Sequence, residues 1–225
     1  MGSDDLFKKR KEGRKTRISR EKKMRAETWL FVCEGKETEP NYFESLLEYA
    51  NSKSDKKLKY VVRGTGRNTE SLVNSIDDFL SFADDLQKEV NIPYGRIFAV
   101  FDKDSFKKGQ FNNAIFHAQK KGYHVLWSNE CIELWFLLHF RPLKSNITRQ
   151  EYFKKLSNIL NCTYEKNDDH FTMLNTAENL KKAVHNAEEL YKEFQYEGSF
   201  ANMAPCTTVF ELIYELESYL GIELR

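Results

Sequence analysis

The sequence predicts an α/β protein: a Rossmann-like core with a mostly parallel four-stranded sheet flanked by helices, and then a helical C-terminal part. Two observations and one topological rule lead there. Between residues 28 and 140, four short runs of β-branched and aromatic residues alternate with segments whose apolar residues recur at helical spacing. Strands that alternate with helices need crossover connections, which makes a sheet mostly parallel and covers both of its faces. After residue 145 no further strand pattern occurs, and three helical patterns follow.

In chain order, residues 1–26 hold 11 Lys or Arg against 4 Asp or Glu, with almost no apolar side chains and no periodicity. They predict a basic, flexible arm. Thr28–Cys33 is apolar and short, as a fully buried strand is. Pro40 suits the first turn of a helix, and Tyr42, Phe43, Leu46, Leu47 and Ala50 continue it at helical spacing to about Asn51. Leu58–Arg63 is the second strand, and Gly64-Thr-Gly66 turns into a helix striped by Leu72, Val73, Ile76, Phe79, Leu80, Ala83 and Leu86. Pro93 and Gly95 break the chain before the third strand, Arg96–Phe101. A helix through Ala114, Ile115 and Ala118 ends at Gly122, Tyr123–Trp127 is the fourth strand, and Cys131–Phe140 is an apolar helix stopped near Pro142. Arg149–Leu160, Thr176–Phe194 and Thr208–Leu220 then carry helical spacing. The expected organisation is an arm (1–26), an α/β core (27–145) and a helical extension (146–225) packing on or beside the core.

Composition narrows the class. Apolar residues are 40% of the 225, with 17 Phe and 11 Tyr, enough for a substantial core. The net charge of +1 hides an uneven distribution: the arm carries +7 and the remainder −6. A basic arm on a mildly acidic body holds a polyanion, or is a solvated tail. Cys33, Cys131, Cys162 and Cys206 are far apart with no C-x-x-C pair, which gives neither a disulfide framework nor a zinc knuckle. No apolar run reaches the roughly 18 residues of a membrane span, and the N-terminus has no signal-peptide core. A soluble, cytoplasmic protein is expected.

The chemistry gathers at strand ends. In an open parallel sheet, ligands bind beyond the carboxyl ends of the strands. Glu34 ends the first strand, and Asp102 ends the third, with Asp104 two positions on. If these strands are neighbours, three carboxylates meet at one edge, where they hold protons or bind a cation. At about 4 Å two such charges repel by roughly 4 kcal/mol at an effective dielectric of 20. An all-oxygen donor set favours Mg²⁺ or Mn²⁺ over zinc. Glu130 and Glu133 share a face at the start of the next helix. Glu133 reads equally as a metal ligand or as an acid favoured by the helix dipole, and Glu130 reads as the latter. Lys103, Lys107 and Lys108 flank the two aspartates, as phosphate contacts or as a solvated loop. His139 and Trp135 lie in an apolar helix and Trp127 in a strand, so all three read as core. D-x-D after a strand also occurs in haloacid-dehalogenase-type phosphatases and nucleotide-sugar transferases. The phosphatase pattern wants Thr at the fourth position after the first Asp, where Phe106 stands.

Glu-Gly after the first strand and D-x-D after the third together resemble the TOPRIM domain, the Mg²⁺-binding core of topoisomerases, primases and Old-family nucleases. The wording is most similar to the RloB-like family. Val32-Cys-Glu-Gly-Lys-Glu-Thr-Glu-Pro-Asn-Tyr-Phe43, Val100-Phe-Asp-Lys-Asp104, Ser128-Asn-Glu-Cys-Ile-Glu-Leu-Trp-Phe-Leu-Leu-His-Phe140 and Thr207-Thr-Val-Phe-Glu-Leu-Ile213 carry the resemblance, in order along the chain. It implies a protein of a bacterial antiviral (abortive-infection) locus, encoded beside an ABC-type ATPase with a long coiled coil. Related effectors are nucleases, some acting on tRNA. Carried over, Glu34 matches the general acid/base, Asp102 and Asp104 the Mg²⁺ ligands, and Glu133 the later acid of the nuclease branch. Thr38 and Glu39 match a recurrent pair that caps the helix or orients the site. Glu130 departs from the pattern, which has proline there.

The resulting expectation is a Mg²⁺- (or Mn²⁺-) dependent endonuclease. Glu34, Asp102, Asp104 and Glu133 form its catalytic and metal-holding set, and Thr38, Glu39, Lys103 and Glu130 surround it. Nucleic acid, RNA ahead of DNA, is the expected substrate, and the ATPase the expected partner. The competing expectations are a non-cleaving adaptor that binds nucleic acid or regulates the ATPase, and a metal-dependent phosphoryl or nucleotidyl transferase.

Overall fold

The structure, a computed structural model, describes residues 28–66, 71–74, 76–77, 94–104, 106–174, 177–194 and 198–225. The basic arm lies outside these residues. So do Phe79, Leu80, Ala83 and Leu86 of the predicted second helix, which is described only as helical at 71–74 and 76–77.

The strands are β1 (Thr28–Cys33), β2 (Lys59–Gly64), β3 (Arg96–Asp102), β4 (His124–Asn129) and β5 (Cys206–Thr207). Their spatial order is β2-β1-β3-β4-β5. The first four are mutually parallel, and β5 runs antiparallel to β4. The sheet is therefore five-stranded, which corrects the expectation of four strands and of none after residue 145. A two-residue strand has no periodicity to read. It forms because Thr207 and Thr208 lock onto β4: Trp127 N–H donates to Thr208 Oγ1 at 2.9 Å, and Thr208 N–H donates to the Trp127 carbonyl at 2.9 Å. The Ser128 and Thr207 hydroxyls also share a hydrogen bond of 2.9 Å.

The helices are α1 (Thr38–Ser52), α2 (Lys108–Lys120), α3 (Glu133–Leu138), α4 (Arg149–Leu160), α5 (His170–Leu174), α6 (Ala177–Glu193) and α7 (Val209–Leu220), with a 3-10 turn at Phe200–Asn202. The apolar stretch predicted as one helix over Cys131–Phe140 is helical only over Glu133–Leu138.

Alternation along the strands divides the core in two. Trp29, Phe31 and Cys33 of β1, with Phe98 and Val100 of β3, face one layer that includes Phe43 and Leu47 of α1, Trp135 of α3 and Leu212 of α7. Leu30 and Val32, with Ala99, Phe101 and Trp127, face the other, which includes Phe111 and Ile115 of α2 and Leu72, Val73 and Ile76. Period-two strands buried on both faces are what a parallel sheet requires. Leu180, Ala183 and Ala187 of α6 share the first layer, so the C-terminal helices build one face of the sheet. Cys33, Cys131 and Cys206 are buried, Cys162 is exposed, and all are free thiols. No helix among the described residues is long and apolar enough to cross a membrane.

A carboxylate cleft at the strand ends

β1 and β3 are direct neighbours, with Cys33 opposite Val100. Parallel pairing therefore brings the residues that follow both strands to one edge. Glu34 N–H donates to the Val100 carbonyl at 2.9 Å, and the Asp102 N–H points at Glu34 Oε2 at 3.3 Å. β3 pairs in turn with β4, setting Asp102 opposite Ser128. Beyond the strand, Lys103 N–H donates to the Ser128 carbonyl at 2.8 Å and Asp104 N–H to the Glu130 carbonyl at 2.9 Å. Asp104 has φ of 38°, a left-handed conformation in which Asp is enriched among non-glycine residues. Extended geometry thus stops at Asp102, and Asp104 reaches the cleft from a turn.

The cleft holds about 320 Å³ and is lined by Glu34, Gly35, Lys36, Glu37, Thr38, Glu39, Asp102, Asp104, Ile132, Glu133, Arg149 and Lys166. Six of these are carboxylates and three are cations. Glu34, Asp102, Asp104 and Glu133 are therefore brought together, and Glu39 joins them. Lys103 and Glu130 are not among the lining residues. Lys103 Nζ donates to the Asp104 carbonyl at 3.1 Å, and Glu130 supports Asp104 through its backbone. The Asn129–Glu130 peptide is cis. Among the other flanking lysines, Lys108 donates to Asn202 Oδ1 at 2.8 Å.

Two glycines open the space. A Cβ on Gly35 would overlap Glu39 Oε2, and one on Gly64 would lie 2.6 Å from the Gly35 carbonyl oxygen and 2.8 Å from Lys36 Cα. The end of β2 thus abuts the loop that presents Glu34. Thr38 does not cap α1. Its hydroxyl donates to the Lys166 carbonyl at 2.9 Å, tying the loop of Tyr164 and Lys166 across the cleft. Tyr164 donates from its hydroxyl to Glu133 Oε1 at 3.0 Å. Glu133 is 2% exposed, and its Oε2 has no hydrogen-bond partner.

The sequence reading missed Arg149. Its Nη1 donates to Asp104 Oδ2 at 3.1 Å and its Nη2 to Asp102 Oδ2 at 3.2 Å. It is the first residue of α4, whose start is held by a capping box between Thr148 and Glu151. The box Thr148-x-x-Glu151 was a legible helix start, but nothing local connects Arg149 to residues 45 and 47 positions earlier.

The electrostatics follow from crowding. Burial, then Glu39 and Glu133, push the Asp102 carboxyl well above the usual carboxylate range, against the pull of Arg149. Burial raises Glu39 as well, with Glu133 adding to it and Lys166 and Arg149 opposing it. Burial works against the charge on Arg149, yet Asp102 first among its neighbours outweighs burial and holds the guanidinium protonated. His139 is fully buried, with Nδ1 against the Trp135 carbonyl at 2.9 Å, and burial lowers it to about 4. Trp135 donates to the Tyr42 hydroxyl at 2.6 Å, and Trp127 is 2% exposed. All three residues belong to the core.

In kind, the donors suit a hard divalent cation: they are all oxygens, and Glu133 Oε2 is a buried acceptor still without a partner. In arrangement, no three His, Cys, Asp or Glu side chains among the described residues yet form a metal-holding group. Arg149 spans Asp102 and Asp104 instead.

Compared with curated proteins and with solved structures, the chain finds no match. The family model described as "RloB-like protein" matches residues 29–216, from the first residues of β1 into α7. That span takes in the whole cleft, and the chain belongs to the RloB-like family.

Proposed function

We propose that this protein is a metal-dependent nuclease with a TOPRIM-type core akin to that of Old-family nucleases. In this reading it cleaves phosphodiester bonds, in RNA such as tRNA ahead of DNA. It acts as the effector of a two-component phage-defence system whose other member is an ABC-type ATPase. One observation carries the reading: Glu34 and Asp102, from adjacent parallel strands, meet Asp104, Glu39 and the half-unpartnered Glu133 in one open cleft. Asp102, Asp104 and Glu133 would hold Mg²⁺ or Mn²⁺, with Glu34 beside them. A bound ion would polarise the scissile phosphate and lower the pKa of a coordinated water. Glu34, which accepts from the Asp102 N–H, would move the proton. Lys36 and Lys166 line the cleft and offset its charge as a polyanion enters.

The test is induction of the wild type, Glu34→Ala and Asp102→Ala in cells, with sequencing of RNA ends and inspection of DNA integrity. New RNA ends that require both carboxylates are expected, and equal toxicity of all three proteins contradicts cleavage. One observation favours a second reading, a non-cleaving adaptor that binds nucleic acid or regulates the ATPase. Arg149 neutralises the two aspartates a nuclease would give to metal. An adaptor keeps its effect in the Asp102→Ala variant.

A further inference from the structure

We propose that Arg149 is the resident cation of this cleft, exchanging with a divalent ion on Asp102 and Asp104 so that the two occupants exclude each other. The proposal rests on the reading of the cleft as a divalent-cation site. Its own basis is geometric. The two terminal nitrogens of one guanidinium sit 3.2 and 3.1 Å from Oδ2 of two different aspartates, so the planar group lies between them. A divalent ion taken up by these two carboxylates would compete for the oxygens that the guanidinium now holds. Two further features mark the contact as incompletely satisfied. Arg149 Nε is buried without a hydrogen-bond partner, and Glu133 Oε2 is a buried acceptor without one. Of the five guanidinium N–H donors, one on each terminal nitrogen reaches an aspartate, and the buried Nε–H reaches no acceptor.

Position supports exchange as well. Arg149 comes from the first turn of α4, outside the sheet, whereas Asp102 is fixed by β3. Asp102 is therefore held by the sheet, Asp104 by the turn that follows it, and the cation by a separate helix. Loss of the ion pair frees Arg149 without dismantling the strand ends. The side chain remains about a quarter exposed, at 28%, which leaves it a route toward solvent. Without a divalent ion, Arg149 keeps the crowded carboxylates neutralised. With one, the guanidinium is released at the mouth of the cleft.

Mn²⁺ binding, read from the loss of the free-ion signal in electron paramagnetic resonance, tests this on full-length protein at fixed pH and salt. Wild type, Arg149→Met, Arg149→Lys and Asp102→Asn are compared. Arg149→Met keeps much of the stem and removes the charge, and should bind Mn²⁺ more tightly than wild type by roughly 5- to 150-fold, the span of ordinary coupling between ligands. Arg149→Lys, a single point charge that still folds with a cation in the cleft, should fall between them. Thermal unfolding gives a second readout: Mg²⁺ should raise the Tm of Arg149→Met more than that of wild type. Equal or weaker Mn²⁺ binding by both Arg149 variants, with Asp102→Asn binding none, overturns the exchange and leaves the metal centre standing. No Mn²⁺ bound by wild type or by either Arg149 variant overturns the metal centre itself, and the exchange with it.

Discussion

Gly64 shows how much of the cleft depends on a missing side chain. Its Cβ would meet backbone atoms of Gly35 and Lys36 rather than the free end of a side chain, so the loop carrying Glu34 would have to shift. Gly64→Ala should cost about 1–3 kcal/mol, the usual range for overpacking, and urea unfolding measures it. Tyr164 lies outside the cleft lining and supports one of its carboxylates. Its hydroxyl is the hydrogen-bond partner of Glu133 Oε1, while Oε2 has none. Tyr164→Phe should remove the hydroxyl donor from a buried carboxylate, at about 1–3 kcal/mol. A divalent ion should recover part of that loss, seen as a larger Mg²⁺-dependent rise in Tm than in wild type. The two kinds of residue differed in legibility. Glu34, Asp102 and Asp104 stand out because a carboxylate directly after a buried strand is a local anomaly. Arg149 and Tyr164 do not, because their partners lie far off in sequence and only the tertiary fold supplies them.

At the scale of elements, β1, β3 and β4 were readable because each runs for six or seven residues with both alternate sets of side chains buried. β5 was not, since two residues carry no period. Its function is nevertheless to finish the sheet beside Asp102. Ser128 pairs with Asp102 on one side and with Thr207 on the other. Thr208 Oγ1 takes the Trp127 N–H and lies 3.2 Å from the Val125 carbonyl. Thr208→Val preserves shape and removes that acceptor, leaving a buried N–H without it at a cost of about 1–3 kcal/mol. Because the edge also positions the Asp102 turn, hydrogen exchange at Lys103 and Asp104 should accelerate in the same variant. Unchanged protection there would make β5 a mere cover for the sheet edge. The Thr207–Ile213 stretch that shares wording with the family is thus a strand and helix start supporting the cleft from behind, outside its lining.

For the whole molecule, the cost of crowding the carboxylates should appear in the pH dependence of stability. Asp102 and Glu39 have folded values raised above the ordinary range. Each therefore contributes stability that is fully present below the unfolded value and is lost as pH rises through the folded one. Metal-free protein should gain stability on mild acidification from neutral pH. Asp102→Asn should melt higher than wild type at neutral pH, by about 2–4 °C for each kcal/mol relieved in a chain of this size, and the gap should close toward acid. Thermal unfolding in chelator across pH measures this; a lower neutral-pH Tm for Asp102→Asn would show that its pairing with Arg149 outweighs the crowding. The α/β architecture was legible as a whole because alternation of strand and helix patterns constrains topology strongly. What escaped was how the C-terminal helices serve the core: α6 and α7 cover one face of the sheet, and α4 delivers the cation. Those relations depend on packing between segments separated by many tens of residues.

Crystals soaked in Mn²⁺ and measured at an anomalous-scattering wavelength would reveal whether these strand ends hold a divalent cation. An anomalous peak is expected about 2.1 Å from oxygens of Asp102 and its neighbouring carboxylates, with Arg149 withdrawn from both aspartates. No peak in the cleft at saturating Mn²⁺, with Arg149 still bridging Asp102 and Asp104, would contradict that expectation.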